Sequence, residues 1–132
     1  PLKALDEIGL GYLRLGQEGG ALSQGERQRL RLAGLLAAPP EGRAALLLDE
    51  PTRGLGFEDV DRLAAALRRL AADGHLIVAV EHDLGFIAQS DWVIDLGPEG
   101  GAGGGRIVAE GPPEALRACP ASHTGRALAV RI

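Results

Sequence analysis

The sequence predicts an α/β fold with a parallel β-sheet, and three segments carry this prediction. "AALLL" at 44–48 is a short unbroken apolar run, and "HLIVAV" at 75–80 is a second one after its first residue; each is followed directly by an acid. Such runs are typical of strands that are buried on both faces of a parallel sheet. Between them, 57–72 has the periodicity of an amphipathic helix. Strand, helix and strand in this order predict a parallel β-α-β unit.

The segments before the first strand predict helices joined by a connector. A short helix is expected within 2–9, and "GLGYLRLGQEGG" (9–20) is typical of a turn-rich connector. A longer helix is expected from Gln24 to about Ala37, capped by Ser23 and ended by Pro39-Pro40. The helix over 57–72 presents one apolar stripe, which consists of Phe57, Val60, Leu63, Ala64, Leu67, Leu70 and Ala71.

The last part of the sequence predicts shorter elements. We expect, in order, a short helix over 84–89, a strand over 92–96, the Gly-rich loop "GPEGGAGGG" (97–105), the strand "RIVAE" (106–110) and a short Pro-initiated helix at "PPEAL" (112–116). The tail from Pro120 onward shows little pattern.

Composition predicts about one domain with an aliphatic core. The chain has 132 residues, of which 45% are hydrophobic and 3% aromatic, and its net charge is -4. Phosphate binding needs clustered Lys and Arg, so this charge argues against a DNA-binding surface made by the segment alone. The single cysteine, Cys119, excludes an internal disulfide framework or a Cys-rich zinc site. We expect a cytoplasmic setting and no membrane span.

Acidic residues follow both predicted strands of the sheet. Asp49 and Glu50 end one strand, and Glu81 and His82 end the other. Ligands bind at the carboxyl ends of parallel strands, and an apolar run ending in Asp-Glu matches the Walker B pattern. There the Asp serves Mg²⁺ through water, and the following Glu accepts a proton from the attacking water. Taken alone, acids at strand ends are better explained by the polarity of loops.

The stretch "LSQGE" (22–26) also allows two interpretations. Ser23 and Glu26 have the spacing of a capping box, in which each side chain accepts a hydrogen bond from the other residue's amide. A helix N-terminus with a nearby glycine, here Gly25, is also a site for phosphate. Taken alone, the residues favour the capping box.

The order of these motifs resembles the ATP-binding cassette (ABC) family of ATPases. "LSQGE" is similar to the ABC signature, "ALLLDE" to Walker B, "PTRGL" (51–55) to the D-loop and "VEHD" (80–83) to the H-loop. The flanking stretches "GLGYLRLGQ", "DWVIDLGPEGGAGGGRIVAEGPPEAL" and "SHTGRAL" resemble, more specifically, the UvrA family of excinuclease proteins. This resemblance covers Leu5 to Leu128.

The resemblance implies a partial parallel-sheet P-loop NTPase core that lacks the Walker A half. It implies a connector over 1–20, the C-terminal part of the second nucleotide-binding domain over 21–118, and a C-terminal tail over 119–132. Members of the family couple ATP binding and hydrolysis to recognition of damaged DNA in nucleotide excision repair.

The resemblance also implies roles for individual residues. The signature would act in trans, on the γ-phosphate of ATP held by a partner cassette, through Ser23, Gln24, Gly25 and Glu26. Within its own cassette the chain would supply the Mg²⁺ residue Asp49, the general base Glu50, the γ-phosphate contact His82, and the D-loop residues Gly54 and Leu55.

The implied cofactors are ATP and Mg²⁺, with zinc only in regions of the family that this sequence lacks. The implied partners are a second ABC cassette, a homodimer partner, damaged double-stranded DNA bound through other regions, and a UvrB-like repair protein. No membrane partner is implied.

The sequence departs from the family pattern at several positions. It contains no G-x-x-x-x-G-K-[ST], the Walker A loop that cradles the phosphates, so we expect the 132-residue chain alone to be inactive although the full-length protein hydrolyses ATP. Gln24 replaces a glycine, which predicts a slower or altered site. Arg53 and Gly56 replace Thr and His, which puts D-loop communication in doubt.

Two alternatives remain open on the sequence. One is the ATP-binding component of a transport or drug-resistance ABC system, because the same cassette serves both. The other is a degenerate, non-catalytic cassette that acts only as a dimerisation module.

Overall fold

The computed structural model describes residues 2–39, 41–97 and 104–130, and the chain forms two compact units that divide after His82. The first unit contains α1 (Leu2–Glu7), a 3-10 turn (Gly19–Ala21), α2 (Gln24–Ala37), β1 (Ala45–Asp49), α3 (Phe57–Ala72) and β2 (Leu76–Val80). The second contains α4 (Leu84–Ile87), β3 (Val93–Gly97), β4 (Arg106–Gly111), α5 (Pro113–Arg117) and α6 (His123–Val130). The mixed α/β class predicted from the sequence is therefore confirmed. The three-part division at residues 20 and 118 stays a prediction.

The first unit is built around the predicted parallel β-α-β unit. β1 and β2 pair in parallel from Ala45 opposite Leu76 to Asp49 opposite Val80, and α3 connects them. Asp73 and Gly74 end α3, where Gly74 has a φ of +94° that glycine adopts without strain. The parallel register brings the carboxyl ends of both strands to the same edge.

The apolar stripe of α3 forms the core of this unit. Its fully or nearly fully buried side chains are Val60, Leu63, Ala64, Ala66, Leu67 and Leu70. The predicted stripe was wrong at one position, because the side chain of Phe57 is 67% exposed. Phe57 is the first residue of the helix, one turn before the stripe meets the core. Among the described residues, no helix has the length and apolarity that a membrane crossing requires.

The prediction that both strands are buried on both faces was wrong for this chain. In β1 burial alternates, so that Leu46 and Leu48 face the core while Leu47 is 78% exposed. In β2, Val78 and Val80 are likewise exposed. An unbroken apolar run specifies a strand but does not specify what covers its second face, and no described residue covers that face here.

The second unit contains an antiparallel hairpin, although the sequence predicted only a parallel sheet. β3 pairs with β4 from Val93 opposite Gly111 to Gly97 opposite Arg106, with an irregularity between Asp95 and Leu96. A Gly-rich connection between two strands is compatible with direct reversal of the chain, and a parallel pairing needs a longer crossover. Most of the predicted Gly-rich loop lies outside the described residues.

The segment after Pro120, which shows little sequence pattern, forms the helix α6. The Ser122 hydroxyl accepts a hydrogen bond from the amide of Gly125 at 2.7 Å and caps the helix. The Asp95 carboxylate accepts hydrogen bonds from the hydroxyls of Ser122 and Thr124 at 2.5 and 2.8 Å. A side chain at Gly125 would clash with the carbonyl group of Leu116, so only glycine lets α6 approach α5 this closely.

Candidate functional site

Polar residues that end β1 and β2 meet at one edge of the parallel sheet. The amide of Glu50 donates to the carbonyl of Val80 at 2.9 Å and extends the ladder one residue beyond Asp49. The Glu50 carboxylate then lies 3.6 Å from the His82 ring, measured from Oε1 to Nδ1. Asp49 is exposed to solvent at the same edge. The structure thus places the residues expected to act as Mg²⁺ residue, base and phosphate contact at one edge of the sheet.

Glu50 has an unusual backbone conformation. Its φ is +43°, and among the described residues no other non-glycine residue has a positive φ. The left-handed region of φ/ψ space is disfavoured for residues with a Cβ, and residues with strained backbone conformations are concentrated at functional sites. The amide of Arg53 donates to the Glu50 carbonyl at 3.0 Å and closes the turn. The Arg53 guanidinium also lies 3.4 Å from the Glu50 carboxylate, but its side chain is 76% exposed, so the ion pair adds little stability.

The carboxylate of Glu81 joins the two loops that follow the strands. Its Oε1 accepts a hydrogen bond from the amide of Thr52 at 2.7 Å, and its Oε2 accepts one from the amide of His82 at 3.1 Å. Thr52 belongs to the D-loop stretch and is 7% exposed. One side chain therefore contacts the backbone of both the D-loop and the H-loop.

The start of α2 is the predicted capping box. The Ser23 hydroxyl accepts from the amide of Glu26 at 3.2 Å, and the Glu26 carboxylate accepts from the amide of Ser23 at 2.6 Å. A hydroxyl that accepts in this way still has a proton to donate. The amides of Gln24 and Gly25, the other donors of the first turn, have no hydrogen-bond partner among the described residues. Capping thus leaves three donors at this helix end for an anion.

The Glu26 carboxylate accepts a further hydrogen bond from the hydroxyl of Tyr12. This bond and, after it, the bonds from Ser23 lower the pKa of Glu26 from 4.5 to about 2, and the same carboxylate raises the pKa of Tyr12. Because each bond favours the ionised form, Glu26 stays charged at any physiological pH. Tyr12 therefore ties the connector to the start of the signature helix.

A buried arginine attaches α2 to the D-loop. Arg29 is 3% exposed, and its Nη1 donates to the carbonyl of Arg53 at 2.9 Å and, at the limit of hydrogen bonding, to that of Pro51 at 3.5 Å. Gly25 lies against the same contact, since a Cβ there would be 3.4 Å from both Arg29 Nη1 and the Arg53 carbonyl oxygen. The signature helix and the D-loop are thus in direct contact.

The D-loop residues Gly54 and Leu55 form the turn before α3. Gly54 has a φ of +77°, which a glycine adopts without strain. The amide of Leu55 donates to the carbonyl of Thr52 at 2.9 Å. These bonds explain why the loop is compact, and they do not by themselves assign the two residues a role.

The signature residues and the strand-end residues do not meet within the described part of the chain. No hydrogen bond or ion pair there joins the stretch 23–26 to Glu50 or His82. The two groups are connected only indirectly, through Arg29 and the D-loop backbone. The chain therefore presents two separate sets of candidate residues.

A groove of about 500 Å³ lies between α2 and β1. Polar side chains of α2 form one wall, namely Gln24, Arg27, Gln28 and Arg31, and the strand forms the other, ending at Asp49. Gln24, the departure from the family signature, therefore faces this groove while its backbone remains in the first turn of α2.

The carboxylates of Asp49 and Glu50 at the sheet edge fit Mg²⁺, which takes part of its ligands from water and phosphate, better than a metal ion whose ligands all come from the protein. Among the described residues, no three His, Cys, Asp or Glu side chains are grouped to hold a metal ion. Mg²⁺ normally uses one or two carboxylates together with water and phosphate oxygens. The exposed Asp49 carboxylate beside Glu50 provides such a partial set.

Sequence reasoning assigned no role to Tyr12 and Arg29, and it noted Glu81 only as an acid at a strand end, although all three residues organise this site. A signal existed for Arg29, because it shares the buried stripe of α2 with Leu32 and Ala33, and a buried guanidinium requires acceptors. Tyr12 and Glu81 act through contacts between segments distant in sequence, and no spacing rule reveals those.

The chain is similar over nearly its whole length to one segment of much longer proteins. It is 51% identical over 127 residues to UvrABC system protein A of Streptomyces coelicolor, covering 96% of this chain and 12% of that protein. It is 51% identical over 128 residues to UvrABC system protein A of Mycobacterium tuberculosis, covering 97% of this chain and 13% of that protein. No protein-family model matches the chain.

A solved structure has the same fold. The crystal structure of UvrA2 from Deinococcus radiodurans matches with a TM-score of 0.88 and 45% identity, over 98% of this chain and 16% of that one. The resemblance to the UvrA family predicted from the motifs is therefore confirmed. The chain spans only 12% to 14% of the length of the curated relatives it matches.

The Tyr12 contact predicts a specific change in the titration of Glu26. Tyr12→Phe removes the largest cause of the lowered pKa, so we expect the Glu26 midpoint to rise from about 2 toward 4.5. The stabilisation of the helix start by this carboxylate is present above pH 4.5 and is lost as the pH falls toward 2. Carboxyl-carbon NMR measures the midpoint directly. An unchanged midpoint in the variant would show that Ser23 alone holds the carboxylate.

The buried arginine predicts a second measurable effect. Arg29→Ala leaves the Pro51 and Arg53 carbonyls without their guanidinium donor, so we expect the free energy of unfolding to fall by about 2 kcal/mol. Urea denaturation followed by circular dichroism measures this change. Arg31→Ala, an exposed arginine on the same helix, is the matched control and should change the free energy by less than about 0.5 kcal/mol. Equal effects of the two substitutions would contradict the assigned role of Arg29.

Proposed function

We propose that the chain is the signature, Walker B, D-loop and H-loop part of a UvrA-like ABC ATPase. In this proposal the ATPase couples ATP binding and hydrolysis to recognition of damaged DNA in nucleotide excision repair. The observation that carries the proposal is the Glu50–His82 contact of 3.6 Å at the carboxyl edge of two parallel strands. Support comes from the relatives called UvrABC system protein A, whose names place them in the UvrABC system.

In the proposed site, Asp49 would hold Mg²⁺ through water, and the ion would neutralise charge on the phosphate oxygens when bound. Glu50 accepts the proton of the attacking water, and its carboxylate lies 3.6 Å from the His82 ring. The His82 Nδ1 faces Glu50, which leaves the other ring nitrogen for the γ-phosphate side. Gly54 and Leu55 transmit the state of this site through the D-loop.

The signature residues are proposed to act on the nucleotide of a partner cassette. The Ser23 hydroxyl and the amides of Gln24 and Gly25 supply donors for the γ-phosphate, and the amide of Glu26 holds the hydroxyl in place by donating to its oxygen. Their separation from Glu50 and His82 favours action in trans, because one chain does not bring both sets of residues to one phosphate.

The proposal includes the rest of the family assembly. The core is a P-loop NTPase core of the ABC type, within the second nucleotide-binding domain, and it works with a second cassette and a homodimer partner. Damaged double-stranded DNA and a UvrB-like protein bind through other regions, zinc belongs to those regions, and the protein acts in the cytoplasm. A degenerate dimerisation module is the second candidate, favoured by Gln24 in the signature.

Glu50→Gln in the complete native protein that contains this chain separates the two candidates. An ATPase loses the proton acceptor, so we expect turnover to fall by about 100-fold or more while ATP stays bound. Steady-state phosphate release and retention of radiolabelled ATP on a filter measure both effects. Glu58→Gln, an exposed glutamate on α3, is the matched control and should leave turnover unchanged. A complete protein without ATP turnover, or one indifferent to Glu50→Gln, would favour the degenerate module.

The purified 132-residue chain is expected to hydrolyse no ATP. It contains no Walker A loop, so it lacks both the Walker A lysine and the backbone amides that cradle the β- and γ-phosphates. Phosphate release with and without Mg²⁺ measures this directly. Turnover that depends on Mg²⁺ would overturn the expectation and would require a different phosphate site within the chain.

A further inference from the structure

The Glu81 carboxylate has an arrangement that the proposed mechanism does not use. It lies directly after β2, and its two oxygens accept hydrogen bonds from two different loops. Oε1 binds the amide of Thr52 at 2.7 Å and Oε2 binds the amide of His82 at 3.1 Å. Hydrogen bonds from backbone amides to a carboxylate are about twice as strong as neutral ones. The positions of the D-loop and the H-loop are thus linked by a single charged group.

The D-loop is held on its other side as well. Arg29 donates to the carbonyl of Arg53 at 2.9 Å, one residue from the amide that Glu81 accepts. Pro51 is fully buried and Thr52 is 7% exposed, so this backbone has little freedom to move independently. A shift of the loop in either direction must therefore act on Glu81, and through Glu81 on His82.

We propose that Glu81 is a positioning residue that sets the His82 ring against Glu50 and couples this arrangement to the D-loop. The inference rests on the proposed ATPase function. Glu81 touches neither the nucleotide nor the attacking water in this proposal, and it acts through the backbone of its neighbour. The 3.6 Å contact between His82 and Glu50 is the geometry that depends on it.

The chemistry of the side chain explains why a carboxylate is needed. Both of its oxygens accept, and each meets an N–H group. A glutamine of the same shape has one accepting oxygen and one NH₂ group, which would face one of the two amides as a second donor. Glu81→Gln therefore releases either the D-loop or His82 while the size of the side chain is kept.

The test uses the complete native protein with Glu81→Gln, and Glu58→Gln as the exposed control. We expect kcat for ATP hydrolysis to fall by about 10-fold to 100-fold, the effect of displacing a catalytic group by about 1 Å, with KM changed less than about twofold. Amide hydrogen exchange at Thr52 and His82 should become faster in the same variant. A general loss of folding would instead accelerate exchange throughout α3 and β2.

A double-mutant cycle distinguishes positioning from a separate structural role. In a His82→Ala background, Glu81→Gln should cost less than about twofold in kcat, because both changes act on one group. The same fold loss in both backgrounds would overturn the inference. If Glu81→Gln does not fold, Glu81→Asp keeps the charge with a shorter reach and should give an intermediate kcat. An aspartate variant equal to wild type would equally overturn it.

A wild-type protein without ATP turnover would remove the proposed function and this inference together. An active wild type whose Glu81→Gln variant keeps both its kcat and its amide protection would overturn the role of Glu81 alone.

Discussion

The parallel pairing of β1 with β2 is the constraint on which the rest of the first unit depends. Because the strands run in the same direction, their carboxyl ends lie side by side, and the residues after each strand are neighbours without any long-range contact of their own. The buried stripe of α3 makes this pairing stable by covering one face of the sheet. Glu50 and His82 are therefore near each other as a result of topology, and only their final approach depends on side chains.

That final approach depends on the backbone of the D-loop. The Glu81 carboxylate accepts a hydrogen bond from the amide of Thr52, and Arg29 donates to carbonyls of the loop. Charged side chains from α2 and from the residue after β2 therefore hold the same short loop. The arrangement connects the start of the signature helix, where Gly25 lies against Arg53, to the strand-end residues. Two sets of residues that do not touch are thereby joined through one compact turn.

The sequence was most informative where one local rule decides the structure. The capping box of Ser23 and Glu26 and the α3 stripe follow from local spacing, the parallel β-α-β unit follows from the order of three segments, and the structure contains each of them. It was least informative where packing decides. The start of α6 is held by Asp95 of a distant strand, and the burial of the second face of β1 is decided by whatever packs on it. The contact of Glu81 is with an amide 29 residues away. The roles of the candidate residues came from the resemblance to a family, not from spacing alone.

The left-handed backbone of Glu50 has a consequence for how this position can change over time. A glycine there would relieve a strain of roughly 1–3 kcal/mol, and any β-branched residue would increase it. Mutational drift toward a more stable chain thus favours loss of the one side chain proposed to accept a proton. If a glutamate is retained at this position although its loss would stabilise the chain, selection has favoured catalytic function over stability there.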